Sequence, residues 1–223
     1  MNISSRLKKC SEMVDENCKI VDVGTDHAYL PIYLAMQNKI ISAIACDVRV
    51  GPLENAVSNI KKYNLEKKIS TCLSNGLQKI NENNADEIII AGMGGNLIID
   101  ILENCAWKNK INKKYILQPM NKERDLRIYL ASKGYETEKE EAVICMGKVY
   151  TVIKTVYTSK SYDISPIQEY IGFLNKNPEE SKTYIEKQLR DIENRKKGAI
   201  IKGLTQEAEK YQKLIKEIEN LYI

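Results

Sequence analysis

The 223-residue sequence holds one histidine, one phenylalanine and one tryptophan. A single histidine, His27, leaves little material for a Cys/His zinc centre. The six cysteines stand at positions 10, 18, 46, 72, 105 and 145. No two are separated by two residues, which excludes a metal knuckle or a dithiol redox motif. No apolar run approaches the ~20 residues of a membrane span. The opening Met1–Lys9 segment, MNISSRLKK, carries no apolar core of a secretory leader. Scattered unpaired cysteines go with a reducing compartment, so a cytoplasmic chain with no metal and no membrane contact is expected. Charge of one sign is not in excess either. There are 34 basic and 30 acidic residues, net +4. That balance admits an RNA partner without demanding one, and lacks the dense basic patch of a dedicated DNA-binding domain.

What is present is globular material, with 43% hydrophobic and 29% charged residues and 13 tyrosines. The length suits one α/β domain with a small appendage. Apolar runs of strand length alternate with helical segments. Strands are expected at Lys19–Val23, Ile41–Cys46, Ile69–Leu73, Glu87–Ala91 and Tyr115–Gln118. Helices are expected around Leu7–Val14, Leu30–Asn38, Pro52–Tyr63, Leu97–Cys105 and Lys122–Lys133. Such alternation gives βαβ units and a mostly parallel sheet. Nearly continuous apolar strands fit a sheet covered on both faces. Glu141–Cys145 and Val149–Tyr157 then flank Met146-Gly147-Lys148, a hairpin signal. Five parallel strands followed by an antiparallel hairpin make the seven-stranded, Rossmann-like layout of class I methyltransferases.

Beyond Tyr162 strand signals cease, and Ser165-Pro166 marks a helix start. Ile185, Leu189, Ile192, Lys196 and Ala199 keep a 4-3-4-3 spacing. Leu204, Ala208, Tyr211, Ile215, Ile218 and Tyr222 resume it after a turn marked by Gly198 and Gly203. This spacing predicts two helices packed as an antiparallel, coiled-coil-like hairpin. The division is therefore residues 1–160 for the α/β domain and 161–223 for the helical one. The hairpin either docks a substrate or only buries its own stripe.

Four strand ends carry the chemistry. Val21-Asp-Val-Gly-Thr-Asp-His27 joins the first strand to the first helix of the βαβ series, at the ligand crevice of an open α/β sheet. It has one glycine, so it is not the G-x-G-x-x-G dinucleotide fingerprint. S-adenosylmethionine (SAM) has no pyrophosphate and needs no such turn, and its ammonium and sulfonium favour the nearby Asp22 and Asp26. Asp47 closes the second strand, where a carboxylate accepts hydrogen bonds from ribose hydroxyls. Asn75-Gly76 follows the third strand, where Asn can bond an adenine edge and glycine leaves room for the ring. Ala91-Gly-Met-Gly-Gly95 follows the fourth, and its glycines expose amides beside the methionine part of the ligand.

Taken together, VDVGTDHAYLP, CDVRVGPLENA, IIIAGMGG and ILQP resemble the bacterial tRNA adenine-N1 methyltransferases that modify adenine 22 in the D-arm. The resemblance covers nearly the whole chain. It implies a SAM domain, a coiled-coil-like C-terminal domain and a tRNA substrate. By motif, Gly24, Thr25, Asp26 and His27 form the first SAM loop with Asp22. Asp47 and Val48 follow on the ribose side, Asn75 and Gly76 on the adenine side, and Gly92, Met93, Gly94 and Gly95 lie beside the methyl donor. Asp26 and Tyr29 match residues needed for methyl transfer. Family members commonly show Gly-Asp-Gly-Leu where this chain has Ser74-Asn75-Gly76-Leu77, and their LQPN appears here as Leu117-Gln118-Pro119-Met120 with Asn121 one place later.

Adenine N1 has an in-plane lone pair and attacks a methyl sulfonium without prior deprotonation. The enzyme then needs proximity, in-line geometry and tolerance of growing positive charge. Asp26 would stabilise that charge, and Tyr29 would stack on the flipped base. The rival readings are a methyltransferase of another substrate, a nucleotide-dependent oxidoreductase, and a non-catalytic SAM- or RNA-binding protein. A monomer is expected.

Overall fold

A computed structural model describes residues 1–222. The N-terminal helix α1 (Ser5–Met13) precedes the alternating series β1 (Cys18–Val23), α2 (Tyr29–Met36), β2 (Ile40–Asp47), α3 (Val50–Lys62), β3 (Ile69–Leu73), β4 (Glu87–Met93), α4 (Gly95–Glu103), β5 (Lys114–Pro119) and α5 (Glu123–Ser132). The hairpin strands β6 (Tyr135–Cys145) and β7 (Lys148–Tyr157) follow, then helices α6 (Pro166–Ile171), α7 (Glu179–Ile201) and α8 (Thr205–Tyr222). The sheet has seven strands in the order β3-β2-β1-β4-β5-β7-β6. The first five are parallel, and β7 runs antiparallel between β5 and β6. This is the expected Rossmann-like architecture.

Strand alternation sorts side chains to two covered faces. Ile20, Ile89 and Ile116 join the core under α1, α2 and α3. Val21, Val23, Ile88, Ile90 and Leu117 join the core under α4 and α5. Burial on both faces explains why these strands read as unbroken apolar runs.

Four segments differ from expectation. β4 does not stop at Ala91; Met93 still pairs with Pro119 of β5 after a register shift, so Gly92 and Met93 belong to the strand. β6 begins at Tyr135 rather than Glu141, because Tyr135–Thr137 pairs with β7 despite its polar pattern. Gly198 lies inside α7, and the turn to α8 is made by Gly203 at φ +70°. A 3-10 turn at Glu82–Asn84 has no apolar periodicity to announce it.

At the N-terminal ends of the strands, the buried Lys154 donates to the Met13 carbonyl (2.8 Å), pairs with Glu87 (3.0 Å) and also contacts Asp15. Lys114 pairs with Asp15 at 2.8 Å. This cluster fixes the end of α1 against β4, β5 and β7.

The C-terminal helices are held to the sheet by a second buried ion pair. Arg127 of α5 donates to Glu140 of β6 (2.7 Å), to the carbonyls of Glu169 and Tyr170 (3.0 Å each) and to the Tyr184 hydroxyl (3.0 Å). Glu140 also accepts from Phe173 N at 3.0 Å. The Arg127 and Glu140 side chains are 2% and 0% exposed, so neither charge has water as an alternative partner. Glu140→Ala is expected to lower unfolding stability by about 3–5 kcal/mol, because it strands a buried guanidinium. Urea denaturation of the two proteins measures this, and a loss under 1 kcal/mol would remove the pair from the structural core.

Candidate active site

The crevice opens at the C-terminal ends of β1 and β4. These neighbouring strands are followed by helices on opposite faces, α2 on one and α4 on the other. Between the diverging loops lies the place where open α/β sheets take ligands.

Gly24 ends β1 at φ +76°, and its amide and that of Thr25 both donate to the Cys46 carbonyl at 2.8 and 2.9 Å. The loop is thus folded against β2. A side chain at Gly24 would collide with the terminal methyl of Met93, so Met93 lies directly over the bare β1 turn. Asp22 is the buried carboxylate of the site, at 7% exposure. Burial pushes its pKa up to about 6, and the charge of Asp47 adds to the rise. The Thr25 hydroxyl, itself buried without a well-aligned hydrogen bond, opposes it in part.

Asp47 ends β2, 6% exposed. One of its oxygens accepts from the Arg49 amide at 2.9 Å and has the Arg49 side chain at 3.7 Å. Val48 beside it is exposed. After β3, Asn75 is exposed, and Gly76 has φ +56°. A side chain at Gly76 would press on Ile101 of α4 at 3.1 Å, so packing and backbone conformation both require the glycine. Asp26, His27 and Tyr29 face outward. Asp26 and His27 approach to 3.2 Å, and the His27 and Tyr29 rings stack with centroids 5.0 Å apart.

The glycine segment at the end of β4 is held by residues that were not among the expected site residues. Gln118 of β5 is fully buried. Its side-chain oxygen accepts from Gly92 N at 3.1 Å and from Arg6 Nη1 at 2.5 Å. Asn121 touches Gly94: a side chain there would stand 3.0 Å from its amide oxygen. Gly95 starts α4, donates to the Asn121 carbonyl at 3.0 Å and has no space for a side chain against Lys122. Gln118 had a signal, a polar residue in the apolar run ILQP at a strand end. Arg6 had none, since it reaches the site from 112 positions away in sequence.

These groups suit a zwitterionic nucleoside. Two buried carboxylates, a bare glycine turn and a glycine-rich strand end meet in one crevice, and Asp22 lacks a cationic partner within salt-bridge distance among the described residues. Its charge is costly in the free protein. A folded pKa near 6 against an ordinary 3.8 corresponds to about 3 kcal/mol at pH 7.5. The sign is that of a raised acid: the cost is absent below pH ~4 and grows as pH rises through ~6. Asp22→Asn is therefore expected to raise the thermal midpoint of the ligand-free protein at pH 7.5, with the difference vanishing near pH 4. A variant no more stable than the parent at pH 7.5 would mean that Asp22 bears no such cost.

A model described as "Methyltransferase domain" matches residues 3–153. A Bacillus subtilis tRNA (adenine(22)-N(1))-methyltransferase is 37% identical over 155 residues, which is 69% of this chain. The match spans 64% of that protein, just under two thirds of its length. A Streptococcus pneumoniae structure, a putative tRNA (m1A22) methyltransferase in complex with S-adenosyl-L-methionine, is 34% identical with a TM-score of 0.83, covering 97% of this chain and 99% of that one. M. capricolum TrmK in complex with S-adenosyl-homocysteine is 29% identical at TM-score 0.81, covering 97% of this chain and 98% of that one. The chain belongs to the methyltransferase-domain family, and over 97% of its length, helical hairpin included, it has the fold of the Streptococcus pneumoniae protein.

Proposed function

We propose that this chain transfers the methyl group of SAM to N1 of adenine 22 in the D-arm of tRNA. The observation that carries the reading is the likeness over the whole chain, helical hairpin included, to a protein solved with SAM. The crevice supports it. Asp22 meets the ammonium, and Asp47, with one oxygen committed to the Arg49 amide, turns the other to the ribose. Val48 stands with Asp47 on the ribose side, Asn75 and Gly76 border the adenine, and Thr25 and the Gly92–Gly95 segment line the methionine side. All these groups come from one chain, so a monomer suffices. Six free thiols suit the reducing cytoplasm, and no described helix is long and apolar enough to cross a membrane.

SAM, when bound, supplies a methyl group on a sulfonium. The chain's task is to bring adenine N1 in line with it and to tolerate the positive charge the base acquires. The stacked His27 and Tyr29 rings form an exposed aromatic face at the mouth of the crevice, suited to hold a base taken out of its helix. Asp26, next to that face, is placed to stabilise the cationic base and to take the proton that leaves its exocyclic amine. Incubation of unmodified tRNA with protein and SAM, followed by nuclease digestion to oligonucleotides and mass spectrometric mapping, is expected to show 1-methyladenosine at position 22. No methylated base, or a methyl group elsewhere, would sink the reading. Asp26→Asn is expected to reduce single-turnover methylation at saturating SAM about a hundredfold or more. A rate restored by excess SAM would instead move Asp26 to the ammonium.

Residues 161–223 form the substrate-docking part in this reading. Among the basic residues of α7, Lys187 pairs with Glu123, Arg190 with Glu186 and Lys196 with Glu193. Arg195 and Lys197 have no carboxylate within 4 Å among the described residues and are the better phosphate contacts. Truncation after Tyr162 is a poor test of docking, because Tyr184 completes the buried environment of Arg127. The double substitution Arg195→Glu with Lys197→Glu keeps that junction. It is expected to raise KM for tRNA at least tenfold and leave SAM affinity unchanged. An unaltered KM would make the hairpin a structural cap.

A further inference from the structure

At the tip of the helical hairpin three aliphatic side chains face water: Ile200 at 60% exposure, Ile201 at 86% and Leu204 at 47%. They sit in a basic stretch. From Asn194 to Gln206 the chain carries Arg195, Lys196, Lys197 and Lys202 and no carboxylate. Lys196 pairs with Glu193, but Arg195, Lys197 and Lys202 are exposed and have no carboxylate within 4 Å among the described residues. Gly198 lies among them, inside α7. Nothing stands within 4 Å of where its side chain would begin, so the packing of the fold does not call for a glycine there. In a helix interior it is weaker than alanine. Helical periodicity puts Arg195, Gly198 and Lys202 on one face, with Lys197 one turn below Ile200 and Ile201.

An exposed aliphatic tip beside unpaired cations fits a partner that offers apolar faces between negative charges. An unstacked nucleobase flanked by phosphates is such a partner, and aliphatic side chains pack on bases in that way. A bare helix turn between two cations lets a sugar-phosphate chain come close to the backbone, where an alanine methyl would hold it off. A lipid surface is soft and needs no such gap, and a second copy of the chain would bring the same cations face to face. We propose that the hairpin tip holds an unstacked base of the tRNA on Ile200 and Ile201, with the adjoining phosphates over Gly198 between Arg195 and Lys202. The proposal rests on the tRNA reading above and adds a base contact remote from the reacting one. Ile201 stands seventeen residues along α7 from Tyr184, whose hydroxyl is fixed at the Arg127 junction, which is roughly 25 Å of helix. The base at the tip is therefore a different one from the adenine at the crevice. Methyl transfer then favours RNAs that present both at the right separation.

The test measures binding of labelled, unmodified tRNA by fluorescence anisotropy over a series of salt concentrations. The double substitution Ile200→Ser with Ile201→Ser is expected to weaken binding about tenfold and leave the salt dependence unchanged, because an apolar contact releases no counterions. Ile201→Ser alone serves should the pair not fold. Lys202→Gln is expected to weaken binding and to reduce the slope of log affinity against log salt by about one. Gly198→Ala separates contact from stability. It should raise the thermal midpoint, since alanine is the better helix former, and yet weaken tRNA binding about fivefold. Parent-like tRNA affinity in the isoleucine variant or in Gly198→Ala overturns the proposal. So does an isoleucine variant that binds tRNA as the parent does but loses self-association in sedimentation, or loses binding to vesicles of anionic phospholipid. Those results would make the tip a contact between copies or a membrane contact. If the unaltered protein binds no tRNA, the tRNA reading itself fails and the proposal with it.

Discussion

The divergence of chain direction between β1 and β4 is the constraint on which the site depends. The two strands are hydrogen-bonded neighbours, Val21 beside Ile88 and Val23 beside Ile90, but α2 leaves to one face and α4 to the other. No loop can cover the strand ends between them. Side chains at those ends can therefore be buried by the sheet and still face the open crevice. Asp22 stands at that end of β1, flanked by Asp47 at the end of β2 and Gln118 near the end of β5, whereas the middles of the same strands, Ile20-Val21, Ala43-Ile44-Ala45 and Ile116-Leu117, are apolar. The glycines follow from the same geometry. Gly24 and Gly92 both have positive φ, and a side chain at either would point toward a group of the site, Met93 or Arg6.

That arrangement has an energetic consequence for Asp22. In the free protein it is desolvated, feels the charge of Asp47 and has no cation within salt-bridge distance among the described residues. The ligand-free state is thus held with a penalty that a bound ammonium would relieve. Binding energy and stability act against each other at this position, as at many functional sites. The ion pairs elsewhere behave differently. Lys154 with Glu87, and Arg127 with Glu140, are buried charges whose partners are both present. They fix how segments dock and leave no vacancy of charge for a ligand.

How much of this could be read from the sequence depended on the range of the interactions involved. The five parallel strands were legible because burial on two faces leaves apolar runs that need no context. Asp22, Asp47 and the glycines were legible because their role follows from standing at a strand end. The early part of β6 was not, because Tyr135–Glu140 takes its conformation from pairing with β7 rather than from its own polar pattern. Arg6 was not, because it acts on a glycine brought near by the fold, Gly92, 86 positions away, and Asn121 was marked only by a displaced family motif, while its contact with Gly94, 27 positions away, comes from the fold. Glu140 reads as one more charge on a solvated strand until Arg127 and the Phe173 amide are seen around it.

The same long-range packing bears on how substrate docking and cofactor binding are connected. Arg127, which gathers β6, α6 and α7, lies one turn into α5. The residues before that helix, Asn121 and Lys122, are the ones against Gly94 and Gly95. Lys122 enters α5 at φ +58°, a conformation available to a non-glycine residue only where neighbours enforce it. Gly95 N, bonded to the Asn121 carbonyl, supplies part of that enforcement. The helical hairpin and the glycine segment thus contact opposite ends of one short rigid piece, the β5–α5 junction. A shift of the hairpin that moved α5 along its axis would have to move the carbonyls packed on Gly95. Because no side chain separates that backbone from the Gly94–Gly95 turn, the displacement would reach the methionine side of the crevice directly. In the proposed reading, a tRNA docked on the hairpin and a cofactor at the strand ends would in this way be referred to the same fixed element, as in-line transfer requires.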